Sequence, residues 1–320
     1  MKSSLPEYVE SISVKDFYQS FAERLLLRLV TSEKTLSRST IRERSLNRPA
    51  LAVTGYFKYF ANKRMQLLGA GEMGFLREQD QYHRLKVLEK MAAKKIPCVV
   101  ISRNLAPTPE MIEVFEKHGV PVFRTSLASK AFTTEVTVLL EERFAPRTTV
   151  HGTLLDIRGI GTLIRGESGA GKSEAALALL ERGHSLVADD MVRVKLLSDH
   201  TPVGFCDEMS RGFMECRGIG IINVEELFGI RFVRIEKKIE LVVTFTEDLK
   251  AAFIDRTGLE RKTFDILGAS VPHMEIPLRK GRDMARLVEV AAMVQAARQL
   301  GHDSANDFNQ KLLKKMNGDG

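Results

Sequence analysis

No apolar run in this chain approaches the 18 or so residues that a membrane-spanning helix needs, and the opening Met1-Lys2-Ser3-Ser4-Leu5-Pro6-Glu7 lacks the apolar core of a secretory signal. A cytoplasmic protein with no membrane partner is therefore expected. Cysteine is scarce: Cys98, Cys206 and Cys216 are odd in number and lack metal-like spacing, which argues for reduced, packed thiols and against a disulfide framework. No internal repeat is present, and only residues 317–320 are low in complexity. The basic excess, a formal net charge of +7, is spread along the chain and not gathered in a tail. It suits acidic partners or phosphorylated ligands and gives no case for nucleic acid. With 44% hydrophobic and 28% charged residues nothing points to disorder, and 320 residues are enough for two domains.

What the chain does have is Gly166-Glu167-Ser168-Gly169-Ala170-Gly171-Lys172-Ser173, which satisfies the phosphate-loop pattern at every fixed position. Glycines let backbone N–H groups press against phosphate oxygens where a side chain would block the approach. Lys172 supplies a mobile charge for the β and γ phosphates, and the Ser173 hydroxyl suits a Mg²⁺ bridging them. Residues 161–165 read as a short buried strand before the loop. Residues 174–182 read as a helix after it, stopping at Gly183 and turning its positive end toward the phosphates. A nucleotide triphosphate site follows.

Upstream, residues 84–95 have helical period, residues 97–102 and 120–124 are β-rich, and Thr108-Pro109-Glu110 signals a helix start. Ser126 is the expected cap of a further helix reaching Arg143. This alternation argues for an amino-terminal α/β domain built on a parallel sheet. Residues 21–30 read as helix or helix-then-strand. The proline-bearing stretch 145–149 is the expected linker, dividing the chain into domains 1–146 and 147–320. Beyond the loop, strands are expected near 185–188, 192–197 and 239–245, with helices over 282–300 and 303–316.

Asp189-Asp190 follows the run 185–188 directly, where strand ends present side chains to a ligand. If the chain is still extended there, only one carboxylate faces the phosphates. Glu215, before the glycine turn Arg217-Gly218-Ile219-Gly220, is a candidate Mg²⁺ ligand, and Arg217 could neutralise phosphate charge. By default His151 is structural, and Arg256 and the basic turn 277–282 are solvated loops.

At these residues the sequence resembles the bacterial HPr kinase/phosphorylase family. The matching stretches are His151-Gly152, the phosphate loop with Glu174, Arg182-Gly183-His184, Ala188-Asp189-Asp190 and residues 215–224, with Arg48-Pro49, Gly55-Tyr56-Phe57 and residues 66–69 in the amino-terminal half. The resemblance implies a bifunctional enzyme that phosphorylates a serine of the phosphocarrier HPr with ATP or pyrophosphate, and removes that phosphate with inorganic phosphate as acceptor. It implies Asp190 as proton acceptor and donor, with His151, Lys172 and Arg256 as further active-site residues and Ser173 and Glu215 as Mg²⁺ ligands. Residues 214–223 would matter for both activities and 277–282 for dephosphorylation. A homohexamer is implied, with a carboxyl-terminal domain resembling the phosphoenolpyruvate carboxykinase fold and carrying a mixed sheet. Two readings of other classes compete: a nucleotide-binding regulator without transfer, and a small-molecule kinase.

Overall fold

The computed structural model describes residues 5–247, 259–279 and 281–316. The chain divides into two compact units, Tyr8–Ala145 and the remainder from Pro146 together with the segment ending at Glu7.

The first unit runs β1 (Ile12–Ser13), α1 (Val14–Phe21), β2 (Leu27–Leu29), β3 (Thr40–Ile41), β4 (Leu46–Asn47), α2 (Ala50–Val53), β5 (Met65–Leu68), α3 (Ala70–Glu78), α4 (Gln81–Ala93), β6 (Val99–Ile101), α5 (Pro109–Lys117), β7 (Val122–Thr125) and α6 (Ser129–Arg143). Its main sheet has the order β2-β7-β6-β5-β4. Strand residues alternate between two cores. Leu67, Val100 and Phe123 face α1 and α6, while Leu68, Val99, Ile101 and Val122 face α2 to α5. Being buried on both faces explains why these strands read as continuous apolar runs.

Two expectations need correction here. The sheet is not wholly parallel, since β2 pairs antiparallel with β7. A tight turn after α1, with Leu26 at φ +50°, brings that strand to the edge. The helix expected from Ser126 begins at Ser129, because the Leu127 backbone is already engaged: its N–H donates to the Thr125 hydroxyl and its carbonyl accepts from Arg103.

The second unit continues with β8 (Arg147–His151), β9 (Thr153–Ile157), β10 (Ile160–Arg165), α7 (Lys172–Glu181), β11 (Ser185–Ala188), β12 (Met191–Leu196), β13 (Pro202–Phe205), β14 (Phe213–Cys216), β15 (Gly220–Asn223), α8 (Val224–Phe228), β16 (Glu236–Lys238), β17 (Leu241–Thr246), β18 (Lys262–Ile266), β19 (Ala269–Pro277), α9 (Met284–Gln299) and α10 (Ser304–Met316). Residues 147–149, expected in a linker, belong to β8, which pairs antiparallel with β12.

The central sheet, ordered β11-β9-β10-β17-β19-β18, is mixed: β10, β17 and β19 are parallel and the flanking strands antiparallel. One face packs Ile164, Val243 and Phe245 against α7 and α9. The other packs Leu154, Leu163 and Val242 against Val150, Val192 and Val194 of a second sheet, β16-β13-β12-β8. The core is thus layered helices, sheet, sheet. The phosphate loop leaves the carboxyl end of β10, and the two aspartates leave that of β11.

Among the described residues, no helix is long and apolar enough to cross a membrane. All three cysteines are buried and free.

Candidate active site

The phosphate loop joins β10 to α7 as the sequence requires. Gly171 caps the helix at φ +78°, in the left-handed region that glycine enters at no steric cost. The Lys172 ammonium lies against its own loop, its Nζ donating to the carbonyls of Gly166 at 3.2 Å and Glu167 at 2.9 Å. Arg217, from the turn after β14, donates to the Ser168 hydroxyl at 3.0 Å and so ties that turn to the loop.

Thr153, Ser168, Gly169, Gly171, Lys172, Ser173, Glu174, Asp189, Asp190, Glu215 and Arg217 line one cleft of about 130 Å³. Loop, aspartate pair and glycine-turn hairpin, well separated in the chain, meet there. Both aspartates line it, and the condition under which only one carboxylate would face the phosphates is not met. The chain is no longer extended at this point, because Asp190 sits at φ +60°. Aspartate is among the few side chains that enter this region readily, and strained backbone of this kind concentrates at functional sites.

That turn is held in place. The Asp190 carbonyl accepts the Gly152 N–H at 3.0 Å, and the Asp189 carbonyl accepts the Met191 N–H at 2.8 Å. Gly152 has no room for a side chain: a Cβ there would lie 2.5 Å from the Ile164 carbonyl oxygen.

The two carboxylates differ in environment. Asp189 is half-buried; its Oδ1 accepts from the Thr153 hydroxyl at 2.7 Å and its Oδ2 from the Glu215 N–H at 3.2 Å. Burial pushes its carboxyl above the usual aspartate range, outweighing those hydrogen bonds. Asp190 is solvent-exposed and makes no side-chain hydrogen bond among the described residues. One carboxylate is structural and the other is available.

Glu215 is exposed on β14, while its neighbours Met214 and Cys216 turn into the core against α7. His151 ends β8 opposite Met191 and is exposed, outside the residues that line the cleft. Arg256 lies outside the described residues, as does Lys280 of the basic turn. Thr153 is the residue that sequence reading missed. A threonine beginning a strand is unremarkable until its partner, 36 positions away, is known.

The donor set fits Mg²⁺: the Ser173 hydroxyl and the Glu215 carboxylate are hard oxygen donors lining one cleft. Among the described residues no three His, Cys, Asp or Glu side chains converge into a self-sufficient metal site.

A phosphate loop at a strand end, an available carboxylate beside it and oxygen donors for a divalent ion define a phosphotransferase of the P-loop class. Comparison with known proteins narrows this. The HPr Serine kinase C-terminal domain family matches residues 142–312, and the HPr Serine kinase N terminus family matches residues 12–140. The HPr kinase/phosphorylase of Leptospira biflexa is 42% identical over 290 residues, covering 90% of each chain. That of Caldicellulosiruptor bescii is 40% identical over 294 residues, covering 92% of this chain and 94% of its own. A solved structure, the Hpr(Ser) kinase/phosphatase from Coxiella burnetii, is 34% identical with a TM-score of 0.45, covering 50% of this chain and 97% of that one. The chain belongs to the HPr kinase/phosphorylase family.

Proposed function

We infer that this chain is a protein-serine kinase and phosphorylase acting on HPr: it transfers a phosphoryl group from ATP, or from pyrophosphate, to a serine of HPr or an HPr-like phosphocarrier. It removes the group by phosphorolysis, with inorganic phosphate as acceptor and pyrophosphate as product. The observation that carries this reading is that Asp190 shares one cleft with the phosphate loop while making no side-chain hydrogen bond among the described residues.

In the forward direction Asp190 takes the proton of the attacking serine hydroxyl, and in reverse returns it to the leaving serine, one carboxylate serving both ways. Phosphoryl transfer is chiefly positioning and electrostatics, so the remaining parts hold charge in place. Lys172 supplies the mobile positive charge for the phosphates. Arg217 lies within reach of the same loop, and family resemblance adds His151 and Arg256 as further active-site positions. Ser173 and Glu215 would hold Mg²⁺, which neutralises phosphate charge when bound. The family likeness also supports a homohexamer and a phosphoenolpyruvate carboxykinase-like carboxyl-terminal fold.

Relatives named HPr kinase/phosphorylase, 42% and 40% identical over nine-tenths of the chain, favour a protein acceptor over a small molecule. A regulator without transfer would need no free carboxylate beside the phosphates. Incubating the protein with Mg-ATP and purified HPr tests the reading: phosphoserine on HPr is expected, lost on addition of excess phosphate with release of pyrophosphate. Label on no protein, or only on a metabolite, would refute it.

A further inference from the structure

Helix α9 carries a stripe of small apolar residues, Ala285, Val288, Ala291 and Ala292, that packs into the core against the central sheet. The next position on that stripe is 295, where helical spacing calls for another apolar residue. Gln295 stands there instead. It is only 7% exposed, and its amide makes no hydrogen bond among the described residues. A buried amide without partners costs free energy that a leucine at the same place would not.

Gln295 borders a cavity of about 550 Å³ between α9 and the outer strands β18 and β19. The cavity exists because α9 lies over β10 and β17, which leaves the helix side of β19 only partly covered. Met274 and Ile276, alternate residues of β19, turn to that side and line the cavity together with Pro272 and Val294. A dry cavity of about 150 Å³ already admits benzene, so this one has room for a molecule of one or two rings. Its rim charges are matched: Arg261 and Arg298 are engaged by Asp303, and Lys262 by Glu275 at 2.7 Å. These cations are already neutralised. The cavity shares no lining residue with the phosphate cleft.

An amide side chain presents a carbonyl acceptor and an NH₂ donor side by side. A ligand satisfies both at once only if it offers a donor and an acceptor at matching spacing, as a carboxamide does and as the N6/N7 edge of adenine does. The rest of its surface must be apolar to suit Met274, Ile276 and Val294. A phosphate or carboxylate group meets neither need, being acceptor-only and finding no unneutralised cation at the rim.

We propose that this cavity is a second ligand site, apart from the phosphate cleft, for an uncharged ring-bearing molecule with an apolar body and an amide-type edge that pairs with Gln295. The assignment stands whichever acceptor receives the phosphoryl group at the cleft.

The test titrates benzamide and adenine into the full-length protein by ligand-observed NMR, with the phosphate loop first saturated by a non-hydrolysable ATP analogue. Benzoate, of the same shape but with an acceptor-only edge, is the control. Binding of benzamide or adenine is expected, and the tighter of the two tells an amide ligand from a purine one. Gln295→Leu, which completes the apolar stripe at similar volume, should weaken that probe about tenfold or more, the worth of two hydrogen bonds. Val294→Trp, placed at the 40% exposed rim, should exclude the probe while Gln295 is kept. Melting temperatures close to the parent's show that both variants are folded. Failure of both probes to bind, benzoate binding as tightly as benzamide, or unchanged affinity in Gln295→Leu would overturn the proposal.

Discussion

The Thr153 hydroxyl donates to Oδ1 of Asp189 at 2.7 Å, joining the first residue of β9 to the end of β11 beneath the phosphate cleft. Because Oδ2 of the same carboxylate accepts the Glu215 N–H at 3.2 Å, Asp189 bridges the sheet and the glycine-turn hairpin. It fixes where Glu215 stands relative to Asp190.

Removing the hydroxyl leaves a half-buried carboxylate oxygen unsatisfied. Thr153→Val is expected to destabilise the protein by about 1–3 kcal/mol, and Thr153→Ser, which keeps the donor, by much less. Denaturant unfolding of the two variants measures the difference; equal stability would mean the bond contributes nothing.

Asp189 also sets a pH dependence. Its folded carboxyl is raised above its unfolded value, so the folded state binds the proton more tightly. Its contribution to stability is fully present below the ordinary aspartate range near pH 4 and is lost as pH rises through the elevated folded value. Asp189→Asn removes that loss. The melting temperature of the variant minus that of the parent should therefore increase as pH is raised from about 4 toward neutrality; a difference that shrinks would contradict the assignment.

Much of the site was legible because its signals are local. The phosphate loop is eight consecutive residues between a strand and a helix, and the structure has β10 and α7 on either side of it. Asp189 and Asp190 were legible as a pair at a strand end, but not their directions, since that turns on one backbone angle at Asp190 that no pattern of side chains encodes. Thr153 was invisible because its meaning is a contact 36 residues distant. In the first unit, apolar runs gave the buried strands, while the antiparallel edge strand β2 depends on a turn at Leu26 that lacks glycine, proline or any other marker. The start of α6 was misread for a similar reason: Ser126 is a good cap by composition, but neighbouring chain had already claimed the Leu127 backbone.

Steric demand at Gly152 yields a further expectation. A methyl group there would meet the Ile164 carbonyl oxygen at 2.5 Å, and that oxygen belongs to the strand feeding the phosphate loop. Gly152→Ala should cost roughly 1–3 kcal/mol in stability through overpacking. It should also weaken nucleotide binding, since the Asp190 turn and β10 must move apart; a thermal shift with and without an ATP analogue reads both.

Divalent-ion dependence follows from the oxygen donors in the cleft. Chelating Mg²⁺ is expected to abolish phosphorylation of HPr, and Glu215→Gln to raise the Mg²⁺ concentration for half-maximal rate by about an order of magnitude. Ser173→Ala should act in the same direction. An unaltered Mg²⁺ titration in both variants would take the ion away from these residues.

The most direct test of the account is single-turnover phosphoryl transfer by Asp190→Asn, measured in both directions alongside its affinity for an ATP analogue. Binding should stay close to that of the parent, while HPr phosphorylation and phosphorolysis both fall by about 10² or more, the usual worth of a positioned base. Transfer that survives undiminished in either direction would show that the proton goes elsewhere.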